Sequence, residues 1–134
     1  MFEVSYLPIL LAGAASVALA FVWYHPRVFG SLWMRLVNLT PEQVEKGKKR
    51  MPAMALIAFL GSMLSAYVMA FMLPLLVIPD LIGAIEFAIW TWLGFVAPTM
   101  LGEVLWEQQS FKLYLINALF LLASFTLMAT ILVL

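Results

Sequence analysis

The stretch "LYLINALFLLASFTLMATILVL", residues 113–134, contains no charged residue over its whole length. It is continuously apolar, and it is longer than the roughly 20 residues that an α-helix needs to cross about 30 Å of hydrocarbon. Lipid requires every backbone N–H and C=O to be paired within the segment, which favours a helix over an isolated strand. Residues 4–24, 52–73 and 81–102 are uncharged or nearly so in the same way. The sequence therefore predicts four transmembrane helices.

The composition excludes a water-soluble domain. Of 134 residues, 10% are charged and 66% are hydrophobic, whereas a typical soluble domain is about a quarter charged. Glu3 precedes the first apolar run and no Lys or Arg does, so we interpret that run as a membrane anchor and not as a signal peptide. The chain has no cysteine, hence no disulfide and no thiolate metal site. We predict an all-α integral membrane protein, one domain over residues 1–134, folded as a four-helix up-down bundle whose last three helices are antiparallel neighbours.

The positive charges are confined to two connections. They are Arg27, Arg35, Lys46, Lys48, Lys49 and Arg50 within residues 25–51, and Lys112 between the third and fourth spans. Cytoplasmic loops hold such residues, so we expect both termini on the non-cytoplasmic side. The cluster Lys46, Lys48, Lys49 and Arg50 either only sets this orientation or also binds anionic lipid headgroups. It is too short, and lacks the interleaved aromatics, to indicate nucleic-acid binding.

The basic connection, residues 25–51, contains signals for two helices. In its first part, apolar residues recur at helical spacing opposite polar ones: Val28, Phe29, Leu32, Trp33, Leu36 and Val37 against Arg27, Ser31, Arg35 and Asn38. This pattern predicts a short amphipathic helix lying in the membrane interface. A second helix should begin at Thr40 as N-cap, with Pro41 in its first position and Gln43 completing a capping box. We expect Gly47 and Pro52 to break or kink that helix before the second span.

Glu86 is the only ionisable carboxylate or base inside a predicted span. Placing a charge at the membrane centre costs about 2.5 to 3.5 kcal/mol, so such a residue is a functional candidate by default. One interpretation is a neutral glutamic acid that joins helices or reaches the outer interface, and the other is a proton or cation site. Hydroxyl and indole partners at a suitable depth are Ser16, Tyr67, Thr126, Thr130 and Trp90.

Glu103 and Glu107 stand four residues apart at the other end of the third span. Like charges at this spacing repel on a helix, so nearby cations are expected, with Arg27, Arg35 and Lys112 as the candidates. The alternative is a metal or acid–base site in which His25 joins the two carboxylates. The first interpretation predicts a structural cluster of ion pairs.

Asn117 lies about one and a half turns into the fourth span and is expected to form an interhelical hydrogen bond. Small residues line up on three spans and should mark packing faces: Ala12, Ser16 and Ala20; Ala58, Ser62, Ala66 and Ala70 with Gly61 and Ser65 beside them; and Gly94, Pro98 and Gly102. Their spacing does not decide whether they pack within one chain or between chains.

The stretch "WYHPRVFGSLWMRL", residues 23–36, resembles the W-Y-x-P-x-x-F-G-x-x-W motif of the uncharacterised membrane family catalogued as domain of unknown function 1761. The matching residues are Trp23, Tyr24, Pro26, Phe29, Gly30 and Trp33. "WLGFVAP" at residues 92–98 and "KLYLINALF" at residues 112–120 look like later segments of that family. The resemblance implies a small four-span membrane protein of bacteria and fungi, without an established activity. It places His25 at a variable motif position, and we expect localisation to a bacterial inner membrane.

Three classes of function are compatible with these residues. The leading hypothesis is a non-enzymatic structural, assembly or lipid-interacting component without cofactor, forming a homo-oligomer or joining a larger membrane complex. The second is a small transporter or channel that binds a proton or cation at Glu86. The third is a membrane enzyme at the cytoplasmic headgroup level, which would depend on His25, Glu103 and Glu107.

Overall fold

The computed structural model describes residues 4–134, so Glu3 lies outside the described part. This part is helical and contains no strand. The α-helices are α1 (Tyr6–Trp23), α2 (Ser31–Val37), α3 (Pro41–Leu75), α4 (Leu81–Thr91), α5 (Ala97–Met100), α6 (Gly102–Leu105) and α7 (Phe111–Val133), with π-helical turns at Pro26–Gly30 and Trp92–Val96. Four segments are long and apolar enough to cross a membrane: Tyr6–Trp23, Pro41–Leu75, Leu81–Leu105 and Phe111–Val133. The prediction of an all-α four-helix membrane bundle is confirmed.

Helix α3 is a single helix of 35 residues and begins with the predicted capping box. The Thr40 hydroxyl accepts a hydrogen bond from the backbone N–H of Gln43, and the Gln43 side chain accepts one from the backbone N–H of Thr40. The helix does not break at Gly47 or Pro52, because both residues lie inside the continuous helix; a kink at these residues stays a prediction. Proline removes one backbone hydrogen bond, but the helix bonds on either side of Pro52 continue. At 1.5 Å per residue, α3 is about 52 Å long, which exceeds the thickness of a membrane core.

The third membrane segment, Leu81–Leu105, is a composite of short helices. Asp80 caps its start by accepting a hydrogen bond from the backbone N–H of Gly83. The helix widens into the π-helical turn Trp92–Val96 shortly before Pro98, where the proline ring cannot donate a backbone hydrogen bond. The first residue of this turn is Trp92, whose indole donates a hydrogen bond to α7.

Helix α1 packs against α3 and α7, and α7 also packs against α4. Small residues allow the close approach of α1 and α3, since Ala12 and Ala66 are completely buried. Two buried serines join α1 to α7 through a 2.6 Å hydrogen bond between the hydroxyls of Ser16 and Ser124, and Ser62 of α3 donates to Ser16. Ala12 and Ser16 of α1, with Ser62 and Ala66 of α3, are therefore packed within one chain, whereas Ala58 and Gly61 of the predicted α3 face are exposed.

Helices α3 and α4 are consecutive membrane segments but make few direct contacts. A groove lies between them, and Phe125 of α7 lines it together with residues of both helices. The two helices flank this groove and both pack against α7, so they contact each other less than α1 contacts α3 or α7. Large apolar side chains cover the outer surface of the bundle; Leu64, Ile82 and Phe95 are each more than 60% exposed. Such a surface is stable in lipid and would be unfavourable in water.

Candidate functional site

The chain reverses sharply after α1 in a turn built from the first sequence motif. His25 caps the π-helical turn, since its Nδ1 atom accepts a hydrogen bond from the backbone N–H of Arg27 at 3.1 Å. The hydroxyl of Ser31 donates to the Pro26 carbonyl oxygen at 2.8 Å. Gly30 is buried against the backbone, and a Cβ atom there would overlap the Tyr24 carbonyl oxygen. The motif residues Pro26 and Gly30 therefore shape this turn, and His25 serves as its cap.

Two tryptophans bind α7 through their indole nitrogens. The Nε1 atom of Trp23, at the end of α1, donates to the Ile116 carbonyl oxygen at 3.1 Å. The Nε1 atom of Trp92, in the second π-helical turn, donates to the Ala118 carbonyl oxygen at 2.6 Å. The two acceptors are two residues apart, so one turn of α7 is held by both α1 and the third membrane segment.

Asn117 lies between those two carbonyl groups in sequence and forms the predicted interhelical hydrogen bond. Its Oδ1 atom accepts from the Tyr24 hydroxyl at 2.7 Å. The ring of Tyr24 lies edge-on to Trp33 at 5.8 Å and contacts Phe120 at 5.5 Å between ring centroids. Burial raises the pKa of the Tyr24 phenol to about 12, and the negative charge of Glu103 adds to the increase. Tyr24 therefore remains a hydroxyl donor at neutral pH.

Tyr114 and Ala97 form another contact between α7 and the third membrane segment. The buried Tyr114 hydroxyl donates to the Ala97 carbonyl oxygen at 2.7 Å. Trp92, Ala97 and Tyr114 were not among the predicted site residues, although all three lie in the later family segments. The resemblance was the available signal, because nothing in the residue types or their spacing indicates which carbonyl group an indole or phenol will reach. The three motif segments thus meet at one level of the bundle.

A cavity of about 790 Å³ opens beside this meeting point, between the turn with α2 on one side and the start of α3 on the other. We call it the motif cavity; its lining residues are Tyr24, Pro26, Gly30, Trp33, Met34, Val44, Lys48, Met51 and Asn117. The amide nitrogen of Asn117 makes no hydrogen bond within residues 4–134, so it is an available donor. Lys48 also lines the cavity, and its Nζ atom donates to the Glu45 carboxylate at 3.3 Å.

An apolar groove between α1 and α3 adjoins the motif cavity. We call it the α1–α3 groove; it has a volume of about 280 Å³ and is lined by Val17, Ala20, Phe21, Tyr24, Met51, Met54, Ala55 and Ala58. Tyr24 and Met51 line both spaces. The polar donors of the motif cavity therefore continue into an apolar surface that faces the lipid.

The predicted cluster of ion pairs around Glu103 and Glu107 does not form. Among residues 4–134, the salt bridges are Glu42 with Lys46 and Glu45 with Lys48, both local to α3. The expected partners Arg27, Arg35 and Lys112 are exposed and form no ion pair with the two carboxylates. The described residues also include no group of three His, Cys, Asp or Glu side chains placed to hold a metal ion. His25 is therefore not joined to Glu103 and Glu107.

Glu86 lies on the exposed side of α4, not in the interior of the bundle. It makes no hydrogen bond or ion pair with any described residue, and Trp90, one turn along, is 70% exposed. The proposed hydroxyl partners are used elsewhere: Ser16 binds Ser124 and Ser62, and Thr126 and Thr130 donate to carbonyl groups of their own helix. Tyr67 is also exposed, on α3, and makes no hydrogen bond within residues 4–134. Glu86 therefore does not join helices through a hydrogen bond within residues 4–134, and its reach to the outer interface or use as a proton or cation site stays a prediction.

Four apolar membrane-spanning segments with an apolar outer surface define an integral membrane protein. The chain belongs to the family described as "Protein of unknown function (DUF1761)", whose model matches residues 7–133. This confirms the resemblance carried by the three motif segments. No curated protein matches the chain, and no solved structure does.

Proposed function

We propose that this protein is a non-enzymatic, lipid-interacting membrane protein that receives a lipid in the motif cavity. The observation that supports this function is a cavity of about 790 Å³ between the turn after α1 and the start of α3, with Asn117 and Lys48 in its lining. Ligand sites in proteins have volumes of about 300 to 1,000 Å³ and combine a mainly apolar lining with a few polar groups. The motif cavity meets both conditions.

The arrangement of His25 favours binding over catalysis. Its Nδ1 atom accepts a backbone hydrogen bond that holds the turn, so this ring has a structural role. The carboxylates of Glu103 and Glu107 are not among the residues that line the cavity. We infer that the motif residues hold a fixed shape and do not transfer protons or groups.

In the orientation that the positive charges favour, the motif cavity opens at the cytoplasmic headgroup level and both termini lie on the opposite side. The proposal of a bacterial inner membrane rests on the same orientation and on the family resemblance. Accessibility of single introduced cysteines to an impermeant reagent would test it, since the natural chain has no cysteine.

Native mass spectrometry of the protein in mild detergent tests whether a lipid is retained. Val44→Trp places a large ring at the cavity lining and should remove the bound lipid. Leu60→Trp is the matched control, because Leu60 is exposed on the same helix and lines no described cavity. Retention of lipid by both variants, or its absence from the native protein, would refute a lipid site in the motif cavity. The measured mass also tests the proposed homo-oligomer or larger complex.

A second candidate function follows from Glu86, whose carboxyl group is exposed at membrane depth without a partner in the described chain. Because it lies outside the bundle, a proton or cation path would require a second copy to enclose it. Measuring ion flux into proteoliposomes under proton, sodium and potassium gradients tests whether the protein is a transporter. Equal absence of flux in the native chain and in Glu86→Gln would exclude it.

A further inference from the structure

The two adjoining spaces match the two parts of a phospholipid. Proceeding from the start of α3 into the membrane, the lining residues are Lys48, Met51, Ala55 and Ala58, which lie on successive turns. At 1.5 Å per residue, Lys48 and Ala58 are about 15 Å apart along the helix. This distance is half of the roughly 30 Å hydrocarbon core, or the depth of one leaflet.

The lining residues of α1 also change from polar to apolar toward the membrane interior, although α1 runs in the opposite direction to α3. Tyr24 lies at the polar end beside Asn117, and Phe21, Ala20 and Val17 follow toward the membrane interior. Both walls of the α1–α3 groove therefore change from polar to apolar in the same direction. A ligand with a polar head and an extended apolar chain fits this gradient, whereas a wholly polar or wholly apolar molecule would not.

The charge near the motif cavity favours an anionic head. All seven Lys and Arg residues lie at this end of the bundle, together with four of the seven carboxylates. Lys48 is paired with Glu45, but both side chains are largely exposed, and exposed pairs of this kind bind weakly. The Lys48 ammonium can therefore bind a phosphate group as well, and Lys49 and Arg50 form no ion pair with residues 4–134. Attraction of a basic group to anionic lipid is worth about fivefold in affinity per residue.

We propose that the motif cavity selects an anionic phospholipid, whose phosphate accepts hydrogen bonds from Asn117 Nδ2 and Lys48 Nζ while one acyl chain lies in the α1–α3 groove. This inference rests on the proposed lipid-binding function and adds the class of lipid and the place of its chain. It assigns the headgroup to the motif cavity and the acyl chain to the α1–α3 groove, so each space can be tested with its own variants.

The headgroup is tested by native mass spectrometry from nanodiscs that contain equal amounts of phosphatidylglycerol and phosphatidylcholine. The native chain should retain the anionic lipid in preference. Lys48→Gln should reduce that preference about fivefold. Lys112→Gln removes the same charge from the same end of the bundle but outside the cavity lining, and should reduce the preference much less than Lys48→Gln. Equal retention of both lipids by the native chain would overturn the anionic selection while leaving the lipid-binding function intact.

The acyl chain is tested by Ala58→Leu, which adds volume within the α1–α3 groove. Retention of either lipid should fall several-fold, whereas Ala53→Leu, at an exposed position of α3 outside the groove, should have no effect. Inorganic phosphate without lipid should leave the thermal stability of the detergent-solubilised protein unchanged. Stabilisation by phosphate alone, with full lipid retention in Ala58→Leu, would show a simple anion site and refute the proposal. Absence of any retained lipid from the native chain would refute the lipid-binding function as well.

Discussion

Gly30→Ala should destabilise the protein because the added methyl group has no space. A Cβ atom at Gly30 would overlap the Tyr24 carbonyl oxygen and lie 2.8 Å from the His25 carbonyl carbon. Favourable carbon contacts are about 3.5 to 4.0 Å long, so the backbone of the turn would have to move by about 1 Å. Overpacking against flexible side chains costs about 1 to 3 kcal/mol. Since the obstacle here is backbone, we expect a cost of about 3 kcal/mol or more.

The assay is equilibrium unfolding in mixed micelles of mild detergent and dodecyl sulfate, followed by tryptophan fluorescence and helical circular dichroism. A loss of about 3 kcal/mol lowers the folding equilibrium constant about 100-fold. Gly47→Ala is the control, since a Cβ atom there meets nothing within 4 Å inside the continuous helix α3. That change should stabilise the protein by about 0.5 to 1 kcal/mol. Equal unfolding midpoints for Gly30→Ala and the native chain would refute the close packing of the turn.

Three further predictions concern the residues around this turn. A double-mutant cycle with Tyr24→Phe and Asn117→Ala should give a coupling free energy of about 0.6 to 1.7 kcal/mol, and additive effects would contradict their hydrogen bond. Burial raises the pKa of the Tyr24 phenol from 10.0 to about 12, so its contribution to the stability is complete below pH 10 and is lost as pH rises through about 12. The difference in tyrosinate absorbance between the native chain and Tyr24→Phe should report this pKa. Glu103→Gln should lower the pKa of Tyr24. Finally, His25→Ala should cost about 1 kcal/mol in the unfolding assay through loss of the cap, whereas His25→Asn should retain most of the stability; equal losses would exclude the capping role.

Local sequence patterns predicted the features that depend on neighbouring residues. The capping box of Thr40 and Gln43 needs groups only three residues apart, and it formed as expected. Asn117 was expected to bind another helix because an amide at membrane depth requires a partner, but the partner Tyr24 was not specified. The continuity of α3 through Pro52 was missed, because flanking helix and membrane packing can outweigh the loss of one hydrogen bond.

The candidate site required information that no single segment contains. Glu103 and Glu107 were expected near cations by charge alone, yet Arg27, Arg35 and Lys112 are exposed, and exposed cations gain little from pairing. The indole donors Trp23 and Trp92 reach carbonyl groups of α7 from opposite sides. These contacts join residues far apart in sequence, so no local pattern indicates them. The π-helical turn that begins at Trp92 also changes the helical period on which sequence patterns depend.

The apolar runs by themselves determined that this protein crosses the membrane as four helices, because hydrocarbon requires backbone hydrogen bonds to be satisfied within each segment. Only the tertiary structure decided which faces meet. It placed Glu86 on the exposed surface and united the three motif segments around one turn of α7. The free energy of moving a segment from lipid to water depends on its composition, which can be read from the sequence. Packing and interhelical hydrogen bonds depend on the rotation and separation of the helices, and these are set only when all four helices are assembled.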